Sequence, residues 1–315
     1  MPSFLKKSQD KEVIAAIDLG SNALRAIIAT YSDDTLEIIK TIRVPLRLGE
    51  DVFRTGRISA EKMQLTEEAF IEIFHSFVEY NVTNVRATAT SAMRDSYNGK
   101  ILSQKIFQST GIEIEIISGS EEANIILNAV QGQINLSKKT SMLMDIGGGS
   151  TELTIVDGGK ILACHSFDVG TVRLLSDQSN EELKRNIDPH IQKMMTFIKH
   201  HLPKKRPDLF IGTGGNLRRI GKIRKKILGK SSEFALLTEI IHMEDSISSM
   251  TYVDRLRSLE LDQNRADVIL PAIMITRTLM EKLSLAEIHL PKVGLKEGVL
   301  LSLLDKNPKH FILKD

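Results

Sequence analysis

The feature that most constrains this chain is a phrase that occurs twice. Residues 142–153 read MLMDIGGGSTEL, and residues 14–28 read IAAIDLGSNALRAII. In each, a short apolar run ends on an aspartate, turns through glycine and resumes as a second apolar run. Short apolar runs bounded by turn residues read as buried strands. Asp18 and Asp145 stand 127 residues apart, close to one domain length. The duplication therefore predicts an α/β fold of two similar domains facing each other across a cleft, with ligand bound at the carboxyl ends of the strands.

The surroundings of each copy extend the repeat. After the first come LRAIIATY and LEIIKTIRV, which complete a strand meander. A helical stripe follows over 59–80, with Met63, Leu65, Ala69, Ile71, Phe74, Phe77 and Val78 on one side and Ser59 as N-cap. VRATAT reads as a buried strand, 98–109 as a helix, and IEIEII as a strand with alternating faces. At SGSEEANIILNAV the period turns helical. The polar QGQINLSKKT marks a boundary, which places a first domain over 1–132 and a second over 133–294. The second domain opens with strand, Gly turn, strand, Gly-Gly turn, strand. It then carries DLFIGTGGNLRRIGKI, a strand entering a Gly-rich loop and a helix. From residue 232 onward the pattern is mostly helical.

Composition narrows the class. The 315 residues are 42% hydrophobic and 26% charged, as in an ordinary globular protein of two domains. A net charge of +2 is too mild to imply nucleic acid, and no aromatic residues interleave the basic stretches for base stacking. Cys164 is the only cysteine, so there is no disulfide framework or thiolate cluster, and a reducing compartment fits. The first residues lack an apolar core of signal-peptide length, and no run approaches membrane-spanning length. A cytoplasmic protein with no membrane partner is expected.

Glycine at such turns frees the backbone to reach φ > 0 and removes Cβ, so successive amides can converge on an anion. Gly147, Gly148 and Gly149 are followed by the hydroxyls of Ser150 and Thr151. Ser21 and Asn22 occupy the opposing turn. A third loop supplies Gly214, Gly215 and Asn216 at a helix start, where the dipole favours an anion. An aspartate beside a phosphate cradle suits a divalent cation, because Mg²⁺ takes carboxylates, waters and phosphate oxygens. Neither the P-loop nor the dinucleotide fingerprint is present.

Taken together these residues resemble the actin-like ATPase superfamily, with its two duplicated, ribonuclease H-like domains. Within it the chain is most similar to the exopolyphosphatase/guanosine pentaphosphate phosphatase family. AAIDLGSNALR, RLGEDVFRTGRIS, ATATSAMRD, EIISGSEEA, MDIGGGSTEL, GTGGN, RADVILPA and GLKEGVL carry the likeness over nearly the whole chain. The resemblance implies a short, two-domain form in which the C-terminal helix of about 295–315 packs back on the first domain. It also implies release of the terminal phosphate of inorganic polyphosphate, or of the 5′-γ-phosphate of guanosine pentaphosphate, with Mg²⁺ or another divalent cation.

Within that frame the carboxylates take roles. With Ser118 as N-cap, Glu121 falls at the third helical position and makes an S-x-x-E capping box, leaving Glu122 to point elsewhere. The resemblance likewise carries the catalytic glutamate onto Glu122, the group that would activate water. Asp145 is the first expected Mg²⁺ ligand, with Glu152 from the same loop and Asp18 from the other. For Glu152 a surface strand position is the competing reading. Arg94 either clamps a phosphoryl oxygen or pairs with Asp95, and the resemblance favours the clamp. Arg25 either serves similarly or points outward from its strand. Asp267 heads a helix. Two departures from the family pattern are Asn216, where a hydroxyl residue is usual, and Lys296, where arginine is common.

Arg218, Arg219, Lys222, Arg224, Lys225 and Lys226 follow the third loop and offer a long polyanion a surface, or form a solvated helix face. His165, His200 and His201 have no metal-site spacing. A homodimer is the expectation on general grounds. Two rivals stay open: an actin-like kinase transferring phosphate to a small acceptor, and a non-catalytic nucleotide- or alarmone-binding regulator.

Overall fold

The computed structural model describes residues 12–32, 35–175, 179–203 and 206–304, and the backbone of 312–314. The first layer set runs β1 (Glu12–Leu19), β2 (Leu24–Ser32), β3 (Thr35–Val44), α1 (Leu48–Thr55) and α2 (Ala60–Glu79). It continues with β4 (Asn84–Ala89), α3 (Ser91–Asp95), α4 (Gly99–Thr110), β5 (Ile114–Ile116) and α5 (Gly119–Gln131). The second opens with β6 (Thr140–Ile146), β7 (Thr151–Asp157), β8 (Lys160–Phe167) and α6 (Asn180–His201). Then come β9 (Leu209–Thr213), α7 (Gly214–Leu228), β10 (Phe234–Leu236), α8 (Leu237–Ser248) and α9 (Tyr252–Ser258). The chain goes on through α10 (Gln263–Ala266), α11 (Ile269–Lys282), β11 (Glu287–His289), α12 (Leu295–Leu301) and β12 (Ile312–Lys314).

Two six-stranded sheets result, ordered β12-β3-β2-β1-β4-β5 and β10-β11-β9-β6-β7-β8. In both, an antiparallel three-strand meander is followed by two strands added parallel on the far side of its first strand, and in the second sheet β10 then closes the edge antiparallel to β11. Even the irregularities repeat. A register shift follows Ile28 in β2 and Ile155 in β7, each ten residues beyond its aspartate. This is the duplicated α/β architecture that the two phrases predict.

β1 and β2 read as unbroken apolar runs because both faces are covered. Ala15, Ile17, Leu24 and Ala26 pack beneath Phe70, Ile73 and Phe77 of α2 and Leu102 and Ile106 of α4. Ile14, Ala16, Ile27 and Ala29 pack the other way, against α5 and α12. That second cluster also takes in Leu143, Val156 and Ile211 of the other sheet, so α5 and α12 lie in a core common to both sheets. Gly298 makes the α5–α12 approach possible, since a Cβ there would overlap the carbonyl oxygen of Ile125. Residues 305–311 and 315 of the expected C-terminal helix lie outside the described residues; α12 ends at Leu301, and the backbone at 312–314 pairs as a strand with β3. Among the described residues, no helix is long and apolar enough to cross a membrane.

The helix starts follow local chemistry. Ser59 accepts from the Lys62 amide, and Ser118 and Glu121 form both halves of a capping box. Asn98 precedes α4 without capping it; its side chain instead bridges the amide and carbonyl of Ile58. Asp267 lies in the turn between α10 and α11, directly before Val268, the N-cap of α11. It ion-pairs with Arg47 of the first layer set at 2.8 Å. The short strands β10 and β11, in a stretch read as helical, form because they extend an existing sheet edge.

Candidate active site

Between the carboxyl ends of the two central strand pairs lies a cleft with room for about 100 Å³. That volume fits a few waters or one phosphate group. β1 and β6 deliver Asp18 and Asp145 to its two sides, α5 presents Glu122, and β9 leads through Thr213 into the start of α7.

The duplicated frame puts unlike residues at like places. Asp18 faces Arg25 across β1 and β2, whereas Asp145 faces Glu152 across β6 and β7. Arg25 Nη1 donates to Asp18 Oδ2 at 3.0 Å. Burial still raises the Asp18 pKa, with Arg25 opposing the rise. Asp145 has no such cation: burial, then the charge of Glu152, lifts its pKa to about 7, while a 3.1 Å hydrogen bond from Thr213 Oγ1 opposes.

Glu152 is not on a surface strand position but is 4% exposed. Its Oε1 accepts from Ser150 Oγ at 2.6 Å and Ser166 Oγ at 2.8 Å. Burial nonetheless raises its pKa against those hydrogen bonds. Glu122 is buried too, and its Oε2 has no hydrogen-bond partner among the described residues. Burial first, then Glu152, Asp145 and Asp18, hold its carboxyl well above the usual range; the Arg94 charge opposes them. Glu121, by contrast, is taken up by the cap, where the Ser118 amide and hydroxyl lower its pKa.

Ser21, Asn22, Ser150 and Asn216, read as phosphate holders, line the cleft and also make hydrogen bonds that brace its loops. The Gly147 amide donates to the Ser150 carbonyl at 2.8 Å. Thr151 Oγ1 donates to Val169 O and lies outside the cleft lining, whereas Ser150, whose Oγ donates to Glu152, lines the cleft. Ser21 Oγ and Ser91 Oγ bond each other at 2.8 Å, and Asn22 Nδ2 donates to Asn264 O. Asn216 Nδ2 donates to Ile146 O at 2.7 Å and lies near Thr171 Oγ1, which ties the third loop to the second and accounts for an amide where a hydroxyl is usual. Gly149 does not line the cleft: a Cβ there would overlap the Phe53 ring.

The glycine triplet also differs from expectation in its backbone. Gly147, Gly148 and Gly149 do not adopt positive φ, whereas Gly214 does, at φ 81°. The triplet is needed for close approach. Gly148 faces Ser21 Cβ and the Asn22 amide, the opposing turn, at 3.1 and 3.3 Å from its would-be Cβ. At Gly214 a Cβ would also collide with the Asp145 carboxylate. The amides at the start of α7 are available to an anion, since the first N–H groups of a helix have no partner within it.

Arg94 is not among the residues that line the cleft. Its Nη1 donates to Ile117 O at 3.1 Å and its Nε is 3.8 Å from Asp95. Its charge reaches Glu122 and Glu152 without touching the open space. Of the two readings of Arg25, the structure places it in the cleft lining, together with Glu297, which the sequence left unassigned. Arg25 reaches the third loop, 2.7 Å from where a Gly215 Cβ would be. Glu297 of α12 is buried between Lys296 Nζ at 2.6 Å and Arg218 Nη2 of α7 at 2.9 Å. Two cations around one buried carboxylate were invisible in GLKEGVL because Arg218 arrives from 79 positions away.

Among the described residues no three His, Cys, Asp or Glu side chains converge as an all-protein metal cage. Mg²⁺ does not require one: it is commonly held by one or two carboxylates with waters and substrate phosphates completing the shell. Asp145 and the buried Glu152, opposite each other on β6 and β7 and without a paired cation among the described residues, match that donor set.

The profile of the Ppx/GppA phosphatase family matches residues 27–307. A bifunctional 3-dehydroquinate synthase/phosphatase of Fusobacterium nucleatum is 28% identical over 296 residues, covering 88% of this chain and 44% of that protein. A guanosine-5′-triphosphate,3′-diphosphate pyrophosphatase of Vibrio parahaemolyticus is 24% identical, over 96% of this chain and 61% of the relative. The chain thus spans less than two thirds of either relative. The crystal structure of an exopolyphosphatase from Cytophaga hutchinsonii superposes with a TM-score of 0.83 at 26% identity, over 93% of this chain and 98% of that one.

Proposed function

Since the chain belongs to the Ppx/GppA phosphatase family, we propose that its cleft hydrolyses the terminal phosphoanhydride of inorganic polyphosphate or guanosine pentaphosphate, releasing orthophosphate with a divalent cation bound. The observation that carries this reading is Glu122: a buried carboxylate with an unpartnered oxygen, opening on a space of phosphate size.

A phosphoryl group entering between the Gly148 turn and the start of α7 meets backbone amides and the positive end of a helix. Asp145 and Glu152 would hold Mg²⁺, which when bound would neutralise charge on the phosphoryl oxygens. Ser150 and Ser166 fix the orientation of Glu152 by donating to one of its oxygens. Glu122 Oε2, held above the usual carboxylate range, accepts a proton from a water aligned with the anhydride bond. The leaving group departs towards the cleft mouth, so a nucleoside or polymer remains outside the small enclosed space. Such transfers depend on positioning and charge more than on covalent chemistry, and the site is built from both.

Glu122→Gln keeps the side-chain shape and removes the base. The expected result is loss of phosphate release by at least about a hundredfold, the usual contribution of a general base, with an unchanged circular dichroism spectrum and substrate still bound. Release at wild-type rates would overturn the assignment.

A further inference from the structure

Asp18, Arg25 and Arg43 stand opposite one another on three adjacent strands: β1 pairs Asp18 with Arg25, and β2 pairs Arg25 with Arg43. Opposed residues of antiparallel strands share a face, so the three form a row leading sideways out of the cleft, about 10 Å or two strand spacings long. Arg219 of α7 and Asp262, just before α10, close over its outer end. Arg43 Nη1 is 3.3 Å from Asp262 Oδ2, while its buried Nε has no partner among the described residues. Arg265 Nε also turns to Asp262, at 3.3 Å. Arg219 makes no hydrogen bond or ion pair among the described residues; its nearest compensating charge is again Asp262. Burial depresses the pKa of both Arg43 and Arg219, and for Arg43 the charges of Arg25 and Arg219 oppose the help of Asp262. One half-exposed carboxylate thus serves three half-buried guanidiniums, a surplus that a further anion would balance.

We propose that Arg43 and Arg219 form a distal anion subsite, which grips an internal phosphate of a linear polyphosphate chain whose terminal phosphoryl group lies at Glu122. The inference rests on the hydrolase reading of the cleft and selects, within it, an extended polyanion over a compact one. Arg25, bridging Asp18 and the third loop, connects the subsite to the cleft. Guanidinium suits the task because its planar fork bonds phosphate oxygens bidentately.

Binding is read on the Glu122→Gln protein so that the probe is not consumed, with long-chain inorganic polyphosphate and pyrophosphate as ligands. Arg43→Gln and Arg219→Gln should each weaken long-chain binding about tenfold, and leave pyrophosphate, too short to reach, unchanged. The salt dependence of long-chain binding should flatten in both. Arg43→Lys should recover much of the loss, which a packing defect would not allow, and Asp262→Asn should tighten the long chain. Unchanged long-chain affinity, or equal losses for both ligands, would overturn the subsite. Discrimination between the two ligands in a wild-type protein that releases no phosphate from any anhydride would instead overturn the hydrolase reading. Phosphate release without discrimination would overturn the subsite and leave that reading standing.

Discussion

At the scale of residues, the site is a problem of uncompensated charge. Three buried carboxylates, from Asp18, Glu122 and Glu152, and the partly buried Asp145 surround one small space, and among the described residues only Asp18 of the four has a paired cation. Folding that places like charges together is unfavourable unless something offsets them. Natural sites accept such a loss where binding recovers it. Two results should follow. Asp145→Asn should raise the melting temperature of the cation-free protein, because one like charge is removed. With Mg²⁺ held as proposed, the wild type should gain about 2.7 kcal/mol at a hundredfold excess over Kd, and the same change should erase that gain. Thermal melts with and without Mg²⁺ check both, and a wild-type melt insensitive to Mg²⁺ would count against Asp145 and Glu152 as its ligands. The division of labour between Glu121 and Glu122 was legible in sequence because capping is local: Ser118 and Glu121 lie within one turn. The bracing roles of Ser150, Thr151 and Asn216 were not, because Val169, Ser166 and Thr171 reach them only through the fold.

At the scale of elements, α12 decides more than its seven residues suggest. It lies against α5, the helix that carries Glu122, and Gly298 sets how close the two run. Gly298→Val forces new atoms onto the Ile125 carbonyl, where overpacking typically costs about 1–3 kcal/mol. Urea unfolding should show that loss, and phosphate release should fall further than stability explains, because α5 shifts with the contact. Glu121→Ala removes one half of the capping box and should lower stability slightly in the same urea titration while leaving Glu122 in place. The apolar runs of β1, β2, β6 and β7 identified themselves as buried strands, since period and composition are properties of the element alone. β10 and β11 did not, because three-residue strands exist only by pairing with an edge already formed.

At the scale of the molecule, the two sheets are held across the cleft by pairs of distant residues. Arg47 meets Asp267, Arg173 meets Asp95, and Arg218 meets Glu297. Burial by itself would raise the Glu297 pKa, but Lys296 and Arg218 hold it below the usual value. The folded protein therefore binds that proton more weakly than the unfolded chain does. Its contribution to stability is present above the ordinary glutamate value of about 4.3 and is lost as pH falls through the depressed native one. Glu297→Gln should lower unfolding stability at pH 7 by about 3 kcal/mol, as for a broken buried pair. The gap to wild type should close below about pH 4, and a gap independent of pH would refute the ion pair as its source. By itself the sequence determined the duplicated α/β frame, the aspartates at its strand ends and the glutamate left over from a capping box. Each follows from residues within a few positions of one another, or from a pattern repeated along the chain. Only the tertiary structure decided that Arg25 compensates Asp18 while Glu152 burdens Asp145, and that the glycine triplet serves close approach. It alone brought Arg43 and Arg219 together at the end of one row. Those outcomes depend on which strand lies beside which and on what the opposing sheet presents, and no local pattern encodes that distance.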